Sequence, residues 1–165
     1  AKAVEVHGMG LRLSDEIAPD MYNYGHFQVL FEDGSLAWYE ASWGPMISDQ
    51  AFFVKDVMTP KGSVSIVVNP GAKSQDHEPH TRTDSIKVHR AALDAKGQFA
   101  QADEILSMTG EPGHDALCAR EQAFVLKAIT ENLDLSRHMD DAVASLRICL
   151  SADESVRTGK PVKLG

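Results

Sequence analysis

Residues 21–46 read MYNYGHFQVLFEDGSLAWYEASWGPM, two alternating runs around a tight turn, and this pattern decides the fold class. Over 26–32, Phe27, Val29 and Phe31 point one way, while His26, Gln28 and Leu30 point the other. Asp33-Gly34 is a hairpin signal, because a type I′ turn needs positive φ at both central residues. Residues 36–43 return as the partner strand. Gly44-Pro45 then ends it, since proline cannot donate to a ladder. Large amphipathic side chains in this number either fill a sheet face beneath another layer or line a surface that meets a ligand.

Outward from the hairpin the strands continue. Residues 4–13 alternate loosely as a first strand, and 14–23, with Pro19, form a loop. The run AFFVKDVM at 51–58 predicts a third long strand, TPKGS a turn, and SVSIVV at 63–68 a fourth. The polar stretch NPGAKSQDHEPHTRTD at 69–84 carries no period, and a loop of that length is usually functional or mobile. A short strand resumes at 85–90, and 91–113 have no assignable period. The last third changes to helical spacing: Leu117, Cys118, Phe124, Val125, Ala128 and Ile129 over 114–130, then Met139, Ala142, Val143, Leu146 and Leu150. Ser136 is placed to cap this second helix, Asp140 and Asp141 suit its opening turns, and Gly159 suits its end. Strands first and helices last describe an α+β domain over 1–165: a large, mainly antiparallel, open-faced sheet with helices packed on one face. The other face, bearing tryptophan, tyrosine and phenylalanine, is then too broad for an ordinary monomer surface and calls for a partner.

Composition narrows the classes. A single domain of 165 residues buries roughly two-thirds of its unfolded surface. With 24 acidic against 16 basic residues, net −8, neither nucleic acid nor an anionic membrane is expected as the main partner. The chain has no apolar run near the ~20 residues of a membrane span, and the opening AKAVEVHGMG reads as a strand rather than a signal peptide. Cys118 and Cys149, on the apolar sides of separate helices, are expected as buried free thiols, which suits a reducing cytoplasm.

The chemistry-bearing residues form no complete site. GMG at 8–10 lacks the third glycine of a dinucleotide loop and the helix behind it. DHEPHT at 76–81 supplies metal-compatible side chains, but Pro79 breaks the helical register that a zinc site of the H-E-x-x-H kind requires, so a solvated loop is expected and no metal. His26 shares a strand face with Gln28 and is either satisfied in a packed sheet or able to act as acid, base or donor. Lys55 interrupts an apolar run, so its ammonium meets a carboxylate or a ligand, or snorkels at an edge. Trp38 and Trp43, five apart, fall on opposite faces of a regular strand. His114-Asp115 opens a helix, where a cap and dipole partner is the simpler reading.

Three segments carry a resemblance: YGHFQVLFEDGSLAWYEASWGPM, AFFVKDVMTPKGSVSIV, and the closing GHDALCAREQAFVLKAITENLDLSRHMDDAVASLRICLSADESVRTGKPVKL. Together, over about residues 4–164, they resemble the C-terminal domain of the Gfo/Idh/MocA oxidoreductases. The resemblance implies a parent enzyme whose N-terminal Rossmann domain binds NAD or NADP, and whose second domain completes the substrate site and forms a homo-oligomer through its open sheet face. The family's nucleotide fingerprint, its Glu-Lys-Pro lysine and its Asp and His all precede the matching point. No catalytic or cofactor-binding residue is therefore carried over, and Gly159-Lys160-Pro161 is not that lysine motif. Positions matching substrate-side strands and loops are Trp43, Phe53 and Lys55, with His80, Thr81 and His114 from loops. The implied function is the substrate-side and oligomerisation domain of an NAD(P)-dependent oxidoreductase acting on a sugar, polyol or related hydroxyl compound, inactive as an isolated chain. The alternative is a stand-alone, non-enzymatic sheet module that dimerises or binds a small ligand.

Overall fold

The computed structural model describes residues 1–42, 55–67 and 83–165. They form two compact units, residues 1–47 with 132–165, and residues 48–131. Strands and helices together make an α+β fold, and every strand pairing among the described residues is antiparallel. Among the described residues the ladders fall into two four-stranded sheets, one in each unit.

In the first unit, strands β1 (Ala3–Leu11), β2 (Tyr24–Phe31), β3 (Leu36–Ser42) and β8 (Val162–Lys163) lie in the order β3-β2-β1-β8. Helix α2 (Ser136–Thr158) crosses β1. Val6 and Val29 face each other across the β1–β2 ladder and meet Ala152 of α2 to form the core, with Phe27, Phe31, Ile148 and Leu164 around it. The helix reaches the sheet through small residues. A Cβ on Gly8 would stand 2.9 Å from the Ala152 carbonyl oxygen, and one on Gly10 would stand 2.9 Å from both the Tyr22 ring and Val156.

The β2–β3 hairpin occurs where its sequence signal lies, but the turn is of another kind. Only Gly34 has positive φ (80°), and its N–H donates to Phe31 O, while the Phe31 N–H donates to Ser35 O. This is a turn of ordinary hand closed by a left-handed glycine, the three-residue loop with a bulge, and the Asp33 carboxylate caps it through the Ser35 N–H and hydroxyl.

The start of α2 also differs from expectation. Ser136 is the first helical residue rather than the cap: Leu135 holds the N-cap position without a side-chain cap bond, and the Ser136 N–H and hydroxyl both donate to Asp134 Oδ1. Gly159 ends the helix in the left-handed region at φ 66°, as its position implies.

A larger correction concerns which face of α2 packs. Ile148, Ala152, Ser155 and Val156 meet the sheet. At 100° per residue the stripe Met139, Val143, Leu146 and Leu150 lies on the opposite side of the helix, and each of these residues is exposed. Small side chains allow the close approach to Gly8 and Gly10 that the bulky stripe would prevent. Cys149 and Cys118 are free, as expected, but exposed rather than buried, because the helix faces that carry them are not the packed ones.

The second unit holds β4 (Asp56–Thr59), β5 (Gly62–Val67), β6 (Ser85–Arg90) and β7 (Glu104–Ser107), in that order, and helix α1 (His114–Thr130). The β4–β5 turn rests on Gly62, whose φ of 143° and distance from the β6 backbone exclude a side chain: a Cβ there would lie 1.9 Å from His89 O. β7 falls within the stretch whose pattern assigned nothing. Only Ala128 of α1 is buried, and Phe124, Val125, Leu126 and Ile129 are exposed.

Candidate functional site

Each unit carries a cluster of polar side chains on a sheet face. In the first unit the register places Tyr24, His26, Gln28 and Leu30 of β2 beside Ser42, Glu40, Trp38 and Leu36 of β3, on the sheet face away from α2. Met9 and His7 of β1 join them opposite His26 and Gln28. This is the face that the alternation left open. Trp38 lies on it, 56% exposed, tilted against His26 with ring centroids 6.4 Å apart. The Tyr24 hydroxyl donates to Glu40 Oε1 at 2.5 Å, and that hydrogen bond raises the phenol's pKa. His26 Nδ1 is the one buried side-chain nitrogen or oxygen among the described residues without a hydrogen-bond partner. A buried imidazole nitrogen left so is costly. The face thus offers an imidazole, an amide and a carboxylate framed by Trp38, Met9 and Leu36, a set able to hydrogen-bond hydroxyl groups and cover an apolar surface.

The second cluster was not singled out from the sequence. Alternation on β6 brings Lys87 and His89 to one face, opposite Ser65 and Ser63 of β5. Asp103, just before β7, receives both: His89 Nδ1 lies 2.7 Å from Oδ1, and Lys87 Nζ 3.3 Å from Oδ2. The hydrogen bond with His89, then that from Lys87, holds the Asp103 carboxyl below its ordinary pKa. Phe99 meets the His89 ring edge-on at 4.5 Å. The Lys-x-His spacing on a strand was the available signal; its carboxylate partner lay in the unassigned stretch.

Of the residues expected at the substrate side, Trp43, Phe53, His80 and Thr81 lie outside the described residues, as does the DHEPHT loop. Lys55 stands immediately before β4, and its carbonyl accepts the Ile66 N–H. His114 is the first residue of α1 but does not cap it. Gly113 is the N-cap, and the His114 Nε2 lies 3.5 Å from Cys118 Sγ one turn on. Asp115, in the first turn, is the dipole partner. Among the described residues no group of three or more His, Cys, Asp or Glu side chains is placed to hold a metal ion, and no helix is long and apolar enough to cross a membrane.

Neither a family model nor a curated protein matches the sequence. Solved structures do match its fold. The aldose-aldose oxidoreductase of Caulobacter crescentus, complexed with glycerol, superposes over 99% of this chain with a TM-score of 0.64 at 18% identity. Levoglucosan dehydrogenase, in complex with NADH and levoglucosan, does so over 99% with a TM-score of 0.65 at 13% identity. An oxidoreductase of Agrobacterium radiobacter, in complex with NAD+, L-tartaric acid and magnesium, follows over 98% with a TM-score of 0.60 at 11% identity. The chain spans 42–45% of the length of these proteins. At such identities the likeness is one of fold, and the chain has the fold of a little under half of each oxidoreductase.

Proposed function

We propose that this chain is the substrate-side and oligomerisation domain of an NAD(P)-dependent oxidoreductase of the Gfo/Idh/MocA type, acting on a sugar, polyol or related hydroxyl compound. The observation that carries the reading is the correspondence of 98–99% of the chain with under half of each of several oxidoreductases. In the whole enzyme a nicotinamide cofactor on the other half exchanges hydride with a hydroxyl-bearing carbon. This chain supplies hydrogen-bonding and covering groups for the substrate, with Trp43, Phe53, Lys55, His80, Thr81 and His114 as the residues to test. An ammonium and two imidazoles donate to hydroxyl oxygens, while aromatic rings cover the C–H face of a sugar. The open face of the first sheet, with Trp38, Leu36 and Met9 exposed, supports a second role as the contact with another subunit.

Calorimetric titration of the chain with NADH and NADPH tests the division of labour. Neither cofactor is expected to bind at millimolar concentration. Micromolar binding of either would place a nucleotide site in this chain and refute the reading. In the whole enzyme, alanine at each of the six residues is expected to change kcat or KM, and a residue that changes neither leaves the list. Trp38→Glu is expected to abolish sheet-face association in light scattering.

A further inference from the structure

The sheet β4-β5-β6-β7 of the second unit is apolar on one face and polar on the other. Val64 and Ile66 of β5 sit opposite Val88 and Ile86 of β6 on the apolar face. On the polar face the register sets Ser63 opposite His89 and Ser65 opposite Lys87. Opposed residues stand about 5 Å apart across strands, and alternate residues about 7 Å apart along one, so these four mark a rectangle the size of one six-membered sugar or cyclitol ring. Met58 of β4, opposite Ser63, and Ile105 of β7, opposite Lys87, extend the face on either side with apolar surface.

The side chains of this face are fixed before any ligand arrives. Asp103 takes His89 on one oxygen and Lys87 on the other, and Phe99 meets the imidazole edge-on. An ionised carboxylate only accepts hydrogen bonds, so His89 Nδ1 carries the proton and Nε2 of the neutral ring is left as an acceptor. Lys87 keeps N–H groups beyond the one directed at Asp103. The Ser63 and Ser65 hydroxyls, both on half-buried residues, make no hydrogen bond among the described residues. Exposed ion pairs add little to stability, whereas side chains locked by a supporting carboxylate are what a binding site requires. The cluster thus offers one acceptor, one cationic donor and two hydroxyls that serve as either, the complement of a ring of hydroxyl groups. An anion is a poor fit, since Asp103 offsets the lysine and Asp56, opposite Ser65, adds a second carboxylate.

We infer that Ser63, Ser65, Lys87 and His89 form a binding site for one uncharged polyhydroxy ring, a monosaccharide or cyclitol, with Phe99 beside it. The class of ligand rests on the function proposed above. The site itself rests on the geometry of the second sheet and includes none of the six residues to be tested there.

NMR titration of the whole chain with myo-inositol and with D-glucose, each to about 100 mM, reads the site. Saturable shifts are expected for the His89 imidazole and for the amides of Ser63, Ser65 and Lys87, with millimolar Kd. Ser63→Ala with Ser65→Ala, and His89→Ala separately, are each expected to weaken binding roughly fivefold or more. Asp103→Asn keeps the shape but no longer fixes the imidazole, and is expected to weaken it as well. The amide spectrum of each variant reports whether its fold is kept. Glucuronate, the same ring carrying a carboxylate, is expected to bind roughly fivefold more weakly than glucose. The inference is overturned if neither ring gives saturable shifts at these residues, if folded variants bind as the unchanged chain does, or if glucuronate binds more tightly than glucose. Micromolar NADH binding by the chain would refute the proposed function while the ring titration still decided this site; absence of both kinds of binding would overturn the site alone.

Discussion

Replacing Ser155 by alanine removes one oxygen and strands two backbone groups. Ser155 is fully buried; its Oγ accepts the Gly8 N–H at 2.9 Å and donates to Lys160 O at 2.7 Å. The register explains why this hydroxyl is needed. β8 pairs with β1 through Glu5↔Lys163 and Val6↔Val162, and two residues further along that register Gly8 would face Lys160. At that point the chain is still leaving α2, so the ladder stops and the hydroxyl bridges the two groups that would have bonded directly. Without it the Gly8 N–H is buried and unsatisfied, at a cost of about 1–3 kcal/mol. Lys160 is exposed, and water recovers most of what its carbonyl loses. The expected loss is therefore about 2–3 kcal/mol, or roughly 5–10 °C in melting temperature for a chain of this size. Urea denaturation of Ser155→Ala measures it, with Ser145→Ala as a control, since Ser145 bonds only to Asp141 O at an exposed position. A loss under about 0.5 kcal/mol, equal to that of a neutral surface change, would refute the bridging role.

Other outcomes follow from single observations. Gly62→Ala, with positive φ and a backbone oxygen 1.9 Å from the new Cβ, is expected to cost about 3 kcal/mol or more in thermal denaturation; a tolerated alanine would mean that the β4–β5 turn is built differently. For Asp103, a folded pKa held below the unfolded value makes the folded state the poorer proton binder. Its contribution is thus complete above the ordinary carboxylate value and lost as pH falls through the lowered one. Carboxyl NMR should find Asp103 titrating below the ordinary aspartate value, and His89→Ala should move it up; a normal midpoint in the unchanged chain would show that the His89 and Lys87 contacts do not persist in solution. Tyr24 should ionise above the ordinary phenol value by ultraviolet titration, and Glu40→Gln should return it toward that value, because the hydrogen bond with Glu40 is the leading cause of the rise.

Local order was legible in the sequence wherever one short-range rule dominates. Alternation about Asp33-Gly34 placed the hairpin and assigned His26, Gln28 and Leu30 to one face, because the period of a strand does not depend on what packs against it. The helix of 114–130 and the glycine stop at 159 followed from spacing and from the left-handed preference of glycine. The turn type was not legible, since Asp33-Gly34 serves both a two-residue loop and a three-residue loop with a bulge, and the hydrogen bonds of Phe31 decide between them.

What spacing could not determine was direction. The stripe Met139–Val143–Leu146–Leu150 is the strongest apolar signal in α2, yet the sheet takes Ala152 and Ser155, because Gly8 and Gly10 leave room only for small side chains. Likewise nothing near Lys87 and His89 announced Asp103, fourteen residues beyond His89, which the β6–β7 pairing brings to them. Periodicity, set by covalent geometry and local sterics, is written in the chain. Which periodic face is buried, and which distant carboxylate meets which base, depend on the shape of the opposing surface, and only the tertiary structure supplies that.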